Sequence, residues 1–207
     1  ACNESGTGNN QAECTINWLN FIESITQTNA AIGSDLTNVG FIEDNTVDIV
    51  QEAQLSNTCD ESDAGDNLAE CNNFLGNFIG PVDQSSSVLG DTPEESQVNN
   101  FEATQIAAGQ NDCDETGAGN NEADCNIFDD SFNQIEDVKQ DNEVVNTDNA
   151  AQLNNATSLQ ELDLQNNCDE SEDGVNSADC SVVEVDNVVG PLSQTNAAAD
   201  SSLADIS

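Results

Sequence analysis

Polar and apolar side chains alternate along the chain with a period of two. Between residues 47 and 58 one set of alternate positions is apolar or carries a side-chain amide, and the other is charged or polar apart from Val50. The first set consists of Val47, Ile49, Gln51, Ala53, Leu55 and Asn57. Alternate side chains share one face of a β-strand, so this pattern predicts a half-buried strand.

A helix competes with this interpretation only in residues 16–32. Ile16, Leu19, Ile22 and Ile25 also recur every three residues there. A short apolar run of this kind does not distinguish the two structures.

A repeat organises the whole chain. Four segments begin and end with Cys and share an inner pattern of Glu, Ser or Thr, Gly, Asn, Ala and an acid; they start at Cys2, Cys59, Cys113 and Cys168. Repetition at a nearly constant period, here roughly 55 residues, predicts a single array of stacked units rather than separate domains. The repeats are 2–58, 59–112, 113–167 and 168–207, the last of them truncated.

All eight cysteines lie at the ends of these segments. Zinc is the alternative to disulfides, but His is absent and no Cys-x2-Cys pair occurs, which fits zinc poorly. The template predicts the pairs Cys2–Cys14, Cys59–Cys71, Cys113–Cys125 and Cys168–Cys180. Disulfides place the protein in an oxidising environment, and we expect a secreted or cell-surface chain whose signal peptide has been removed.

Gln and Asn hold fixed positions between the Cys segments. Successive glutamines alternate between shorter steps, as from Gln27 to Gln51, and longer steps across the loops, as from Gln51 to Gln84. We therefore predict an all-β, β-solenoid-like stack of about seven coils of about 22 residues each, with β-sandwich repeats as the alternative fold. Stacked strands bring identical amides into hydrogen-bonded ladders. The predicted ladder residues are Gln27, Asn29, Gln51, Asn57, Gln84, Gln105, Asn111, Gln140, Asn142, Gln160, Asn166, Gln194 and Asn196.

The Gln-x-Asn-x-Ala motif, seen at residues 27–31 and 194–198, resembles the repeats of curli, a family of secreted bacterial amyloid fibres. The resemblance covers the segments between the Cys loops and implies an extracellular fibre with amide ladders. The acidic Cys loops also resemble repetitive surface proteins of archaea.

The strongly negative charge of the chain argues against several classes of function. The chain has 41 Asp and Glu, one Lys (Lys139), no Arg and no His, for a formal charge of −40. Nucleic-acid binding and polybasic membrane binding both need clustered basic residues. Imidazole bases and arginine clamps are also missing. We therefore expect no enzymatic activity and no nucleic-acid partner. We also expect no membrane span, since no apolar run is as long as a spanning helix requires.

The Cys loops suggest one ligand. Hard oxygen donors occupy the first and third positions of an EF-hand-like count, followed by Gly at the sixth, which fits Ca²⁺. The alternative is a solvated turn with side-chain caps. The candidate ligands are Asp60, Ser62, Asp114, Thr116, Asp169 and Ser171. Apart from Ca²⁺, no cofactor is predicted.

Two Asn-x-Ser/Thr sequons, at Asn3 and Asn155, predict glycosylation. The chain is thus expected to be a structural subunit of an extracellular filament, assembling with copies of itself through exposed strand edges. Divalent cations and glycans are the other predicted partners. The alternative function is a monomeric Ca²⁺-binding or adhesive repeat module of a secreted surface protein.

Overall fold

A computed structural model describes residues 2–5, 9–32, 41–62, 65–92, 95–116, 119–127, 131–171, 174–182, 185–199 and 202–206. These residues form β-strands joined by short connections, and no helix occurs among them. The strands are β1 (Cys2–Ser5), β2 (Asn10–Ile22), β3 (Ile25–Ile32), β4 (Phe41–Ser62), β5 (Asn67–Ile79), β6 (Val82–Thr92), β7 (Glu95–Thr116), β8 (Gly119–Ile127), β9 (Ser131–Ile135), β10 (Val138–Ser171), β11 (Gly174–Val182), β12 (Val185–Val189), β13 (Leu192–Ala199) and β14 (Ser202–Ile206). The all-β prediction is confirmed, and residues 16–32 form β2 and β3 rather than a helix.

Every strand pairing in the described ranges is parallel, and the register follows the repeat apart from local shifts in β10 between Val145 and Ala151. Cys59 pairs with Cys113 and Cys113 with Cys168 along sheet A, which contains β1, β4, β7, the second part of β10, and β14. Sheet B contains β2, β5, β8, β9, β11 and β12, and sheet C contains β3, β6, the first part of β10, and β13. The result is a solenoid-like parallel stack.

One coil is therefore a whole repeat, from one Cys segment to the next. Gln27 pairs with Gln84 in the following repeat, and not with Gln51. The expectation of seven shorter coils is wrong, because each coil passes the core twice. One pass runs through sheets B and C, and the facing pass runs back through sheet A. Both passes carry inward Gln and Asn, which makes half a coil look like a whole one in the sequence.

We number the coils in chain order. Coil 1 contains β2, β3 and β4; coil 2 contains β5, β6 and β7; coil 3 contains β8, β9 and β10; and coil 4 contains β11 to β14. A strand of 22 residues such as β7 spans roughly 70 Å, and four coils rise roughly 19 Å along the axis. The described stack is a thin, wide slab.

At the corner between sheets B and C, each coil has two apolar residues separated by two others. In coil 2 this segment is Ile79-Gly80-Pro81-Val82. A Cβ at Gly80 would lie 1.8 Å from the carbonyl oxygen of Glu23 in the coil beside it, so only Gly fits this close approach. The Gly80 amide donates to the Ile22 carbonyl at 2.8 Å, which continues the stack through the corner.

A second corner lies inside β10. Asn146 adopts a left-handed conformation with φ of 61°, which Asn tolerates better than most residues. The chain passes here from sheet C into sheet A, so β10 contains the end of the first pass of coil 3 and its facing pass in sheet A.

The core lies between the two passes. Its largest apolar cluster joins all three sheets and contains Val47, Ile49, Ile79, Val82, Phe101, Ala103, Ile135 and Val138. Outside the core, ring stacking follows the same register, with Phe21 and Phe78 nearly parallel at 4.8 Å between centroids. Parallel in-register stacking repeats each contact from coil to coil.

Three of the four predicted disulfides are described: Cys59–Cys71, Cys113–Cys125 and Cys168–Cys180. Each joins sheet A to sheet B, with Cα atoms 6.1 to 6.4 Å apart. Cys14 is also disulfide-bonded; the side chain of Cys2, its predicted partner, lies outside the described residues. The stacked disulfides close one edge of the slab.

Candidate functional site: the amide ladders and the open ends

The buried amides form columns that run along the stack. One glutamine column in sheet C links all four coils through side-chain hydrogen bonds of 2.7 to 2.9 Å between neighbouring coils. Its members are Gln27, Gln84, Gln140 and Gln194. A second column in sheet A contains Gln51, Gln105 and Gln160, with bonds of 2.8 Å. Buried amides are costly without partners, and the columns supply those partners.

Gln140 illustrates how fully these amides are bonded. Its side chain has no solvent exposure. Its Nε2 donates to Gln84 Oε1 at 2.9 Å, to the Asn99 carbonyl at 3.1 Å and to the Asn155 carbonyl at 2.8 Å. Its Oε1 accepts from Gln194 Nε2 at 2.7 Å. A single side chain thus bonds the coil above, the coil below and the facing sheet.

Asparagine columns connect the two passes as well as the coils. Asn99 Nδ2 donates to Asn142 Oδ1 across the core at 2.9 Å and to Asn154 Oδ1 along the stack at 3.0 Å. Asn142 in turn donates to Asn196 Oδ1 at 3.0 Å, and Asn29 donates to Asn45 Oδ1 at 3.0 Å. The two sheets are therefore locked together by amides as well as by apolar contacts.

The predicted ladder at Asn57, Asn111 and Asn166 has a different arrangement. These residues stack in register, but their Nδ2 atoms donate to backbone carbonyls of sheet B, namely those of Cys14, Cys71 and Cys125. Their Oδ1 atoms are buried without a hydrogen-bond partner. This column ties sheet A to sheet B beside the disulfides and does not bond its own members to one another.

Several ladder residues were not predicted. They are Asn20, Asn77, Asn133 and Asn187 in sheet B, and Asn45, Asn99, Asn154, Gln97 and Gln152 in sheet A. Comparing positions one whole repeat apart reveals them, whereas the shorter spacing between glutamines hides them.

Glu43 ends one glutamine column with a carboxylate. It is 7% exposed, and its Oε2 accepts from Gln97 Nε2 at 3.1 Å. Burial raises the pKa of Glu43 above its ordinary value of 4.5, against the lowering effects of the Gln97 bond and of a backbone bond to Ser87. The ionised form is therefore disfavoured by folding.

Replacing Glu43 with Gln should stabilise the protein at neutral pH. The pKa of Glu43 is higher in the folded than in the unfolded chain. Its carboxyl group therefore does not destabilise the fold below the unfolded pKa, and the loss of stability grows with pH until the folded pKa is passed. We expect a gain of about 1 kcal/mol at pH 7, the size of one buried hydrogen-bonding group, and none at pH 3.5. Thermal unfolding at both pH values measures it. Glu102→Gln, at an exposed position of the next strand in the stack, is the matched control; an equal gain there would contradict the explanation.

The predicted Ca²⁺ ligands lie on strands. Asp60, Asp114 and Asp169 pair in register at the ends of β4, β7 and β10, and Ser62, Thr116 and Ser171 do likewise two residues later. Within one segment the two residues belong to the end of one extended strand. The side chains of Ser62, Thr116 and Ser171, and the loop residues that follow directly, lie outside the described residues. Between segments, however, the carboxylates form a column. The pKa of Asp114 is raised by desolvation and then by the charges of Asp112, Asp169 and Asp60.

A second acidic column flanks the disulfides on sheet B, where Glu70, Asp124 and Asp179 pair in register. Among the described residues, the groups of three potential ligand atoms within 4.8 Å of one another consist of cysteines, which are already in disulfides.

Of the two predicted glycosylation sequons, Asn155 is exposed and its side chain donates to Asn100 Oδ1 at 2.7 Å. The side chain of Asn3 lies outside the described residues.

At both ends of the stack, inward residues of sheets B and C are exposed with no described strand stacked on them. In the middle coils the inward residues Ile135 and Val138 are 0% and 3% exposed, whereas their partners in coil 4, Val189 and Leu192, are 52% and 51% exposed. At the other end, Trp18 is 50% exposed where its partner Leu75 is fully buried. We call the outer surface of β2, β3 and β4 the leading face, and that of β11, β12 and β13 the trailing face.

Comparison of the chain with protein-family models, with curated proteins and with solved structures finds no match. The part of the chain that is described contains no helix with the length and apolar character needed to span a membrane. Function must therefore be inferred from the geometry of the stack.

Proposed function

We propose that this protein is a structural subunit that assembles head-to-tail into an extracellular filament. The observation that carries the proposal is the pair of open ends, where inward residues of the two terminal coils are exposed although their partners in the middle coils are buried. A second copy would cover them. In sheets B and C, coil 1 of the second copy would present to coil 4 the same column positions that coil 2 presents to coil 1.

The strand edges support the same arrangement. A parallel strand exposes unpaired backbone amides and carbonyls at the end of a sheet, and such an edge is a template for another chain. Stacking β2 on β11 and β12, and β3 on β13, would continue sheets B and C. In sheet A, β14 pairs with Asp148–Gln152 of β10, and β1 pairs with Cys59–Ser62 of β4. Between two stacked copies, β14 of one copy and β1 of the next would therefore share one strand position between β10 and β4. Neither strand fills the middle of that position, beside residues 153–167.

Charge explains why stacking would be confined to the ends. Among the acids whose side chains are described, all but Glu43 are exposed or half-buried, and the chain carries a formal charge of −40. Like charges repel lateral association, while the uncharged amide columns of the end faces do not. Assembly should consequently be slow at low ionic strength and faster in salt, since screening acts on the exposed carboxylates.

Three observations support a secreted structural role rather than catalysis. The disulfides are compatible with an oxidising environment. The sequence has no His or Arg to act as a general base or an anion clamp. Most of the buried polar groups are amides engaged in ladders, which hold the fold together instead of facing a cleft.

The alternative is a monomeric cation-binding surface module. The column of Asp60, Asp114 and Asp169, with the raised pKa of Asp114, favours it. Ca²⁺ added to the unassembled protein would then raise the melting temperature, and a chelator would reverse the effect without any change in molecular mass. A filament subunit instead gains stability with protein concentration.

Leu192→Asp should prevent filament formation. Leu192 faces inward on the trailing face and is 51% exposed, so stacking would bury the new carboxylate in an apolar and amide environment. Leu159 is the control because it is 57% exposed but its side chain points out of sheet A and not into the core. Electron microscopy and sedimentation of the oxidised protein measure assembly.

We expect filaments of wild type and of Leu159→Asp, with a repeat of about 4.8 Å along the axis, and particles of single subunits for Leu192→Asp. Discrete particles of wild type over the full concentration and salt range would overturn the filament proposal. Equal inhibition by the two variants would show that added charge, and not the end face, controls assembly.

A further inference from the structure

The glutamine ladders all point the same way along the stack. In sheet C, Nε2 of each later coil donates to Oε1 of the coil before it: Gln84 to Gln27, Gln140 to Gln84, and Gln194 to Gln140. Sheet A repeats this direction, from Gln105 to Gln51 and from Gln160 to Gln105, and from Gln152 to Gln97. Within the described ranges, each glutamine-to-glutamine bond between coils therefore runs from a later donor to an earlier acceptor.

The inward asparagine ladders point the opposite way. In sheet B, Nδ2 of each earlier coil donates to Oδ1 of the next one: Asn20 to Asn77, Asn77 to Asn133, and Asn133 to Asn187, at 2.8 to 3.0 Å. In sheet A, Asn45 donates to Asn99 and Asn99 to Asn154. The subunit thus contains two sets of ladders with opposite donor directions.

These directions make the two ends chemically different. On the leading face, Gln27 Nε2 makes the bond to the facing sheet, to the Thr46 carbonyl at 3.1 Å, but has no earlier glutamine to donate to. On the trailing face, Gln194 donates back to Gln140, and its Oε1 is where the next donor would bind. The asparagines reverse the roles, because Asn187 accepts from Asn133 and keeps its Nδ2 for the next coil. Asn20 Oδ1, which accepts from Trp18 Nε1, has a second lone pair for that donor.

We infer that a second copy of this chain stacks in one orientation only, with its leading face on the trailing face of the copy before it, Gln27 Nε2 donating to Gln194 Oε1 and Asn187 Nδ2 donating to Asn20 Oδ1. This inference rests on the proposed filament. Two leading faces in contact would place glutamine donors against donors, and two trailing faces would do the same with asparagine donors. The filament is therefore polar, and each end grows by a different face.

Two variants of the trailing face test the polarity. Asn187→Asp and Gln194→Glu each add one negative charge at an exposed position of coil 4 and keep the shape of the side chain. Asn187→Asp removes the donor meant for the next copy and keeps the acceptor for Asn133. Gln194→Glu keeps the acceptor for the next copy and removes the donor to Gln140 inside the chain.

The two variants should differ in which property each changes more, assembly or the stability of the unassembled protein. Asn187→Asp should raise the critical concentration for assembly at least tenfold and leave the melting temperature of the unassembled protein unchanged. Gln194→Glu should lower that melting temperature and raise the critical concentration less than Asn187→Asp does, because stacking buries a carboxylate in both variants but only Gln194→Glu keeps the acceptor for the bond from the next copy. Asn187→Asp subunits added to wild-type seeds should also bind the trailing end through their intact leading face and stop its growth.

The outcomes separate the two proposals. If wild type forms no filaments, the filament proposal and the polarity both fail. If wild type forms filaments and the two variants affect assembly equally or in the reverse order, only the polarity is overturned. Growth arrest of both seed ends by Asn187→Asp would equally overturn it, because a polar stack exposes Asn187 at one end alone.

Discussion

Gln140→Glu should lower the melting temperature at pH 7 by about 10 to 15 °C. The introduced carboxylate would be fully buried and would face three oxygens, Gln84 Oε1 and the carbonyls of Asn99 and Asn155, that now receive hydrogen bonds from Nε2. An unpaired buried charge costs about 3 to 5 kcal/mol, and for a chain of this length each kcal/mol corresponds to roughly 2 to 4 °C. Calorimetry or circular dichroism of the unassembled, oxidised protein measures the change.

Gln165→Glu provides the control for the added charge. Gln165 is exposed on the outer side of sheet A, and its side chain donates to Asp163 on the same strand. We expect a shift below about 2 °C for it, as for surface substitutions generally. The loss in Gln140→Glu should diminish at acidic pH as the new carboxyl takes up a proton, since its buried site raises its pKa. Similar shifts in the two variants would mean that the ladder contributes little to stability.

Removing the central disulfide should have the second largest effect. In the chain-entropy model, a bridge closing a loop with a sequence separation of 12, as in Cys113–Cys125, stabilises by roughly 3 kcal/mol. Both cysteines are fully buried within a cluster that includes Cys59 and Cys71, so truncation also leaves a cavity. We expect Cys113→Ala/Cys125→Ala to lose about 4 kcal/mol, measured by denaturant unfolding.

The disulfide of coil 4 separates the entropic from the packing contribution. Cys168–Cys180 closes a loop of the same length, but Cys180 is exposed and Cys168 half-buried. Its double Ala variant should lose only the entropic part, and reductant should open it before the two buried bridges. Mass spectrometry after graded reduction and alkylation gives the order. Simultaneous opening of all bridges would contradict the difference in burial.

Strand identity was predictable because it depends on local alternation. The face of Val47, Ile49, Gln51, Ala53, Leu55 and Asn57 is inward in β4, and Val50 on the other face is 69% exposed. The pairing of the cysteines was predictable for a similar reason, since both members of a pair lie in one short segment. Neither property requires knowledge of which strands are neighbours.

The length of a coil was not predictable from the same signals. Gln27 and Gln51 lie on facing passes, where Gln27 bonds the Thr46 carbonyl and Gln51 the Phe78 carbonyl. Both passes must present amides to the shared core, so their sequences resemble each other without being stacked. Only strand pairing shows that positions one whole repeat apart are neighbours.

The sequence by itself therefore determined the strands, the repeat, the disulfide pairs and the acidic exterior, because these follow from side-chain period, spacing and composition. The tertiary structure alone decided which amides bond along the stack and which bond across it. Asn57, Asn111 and Asn166 look like ladder residues in the sequence but reach the facing backbone. The opposite directions of the glutamine and asparagine ladders, and with them the chemical difference between the two ends, depend on the placement of each amide atom relative to a neighbouring coil, which one-dimensional spacing does not specify.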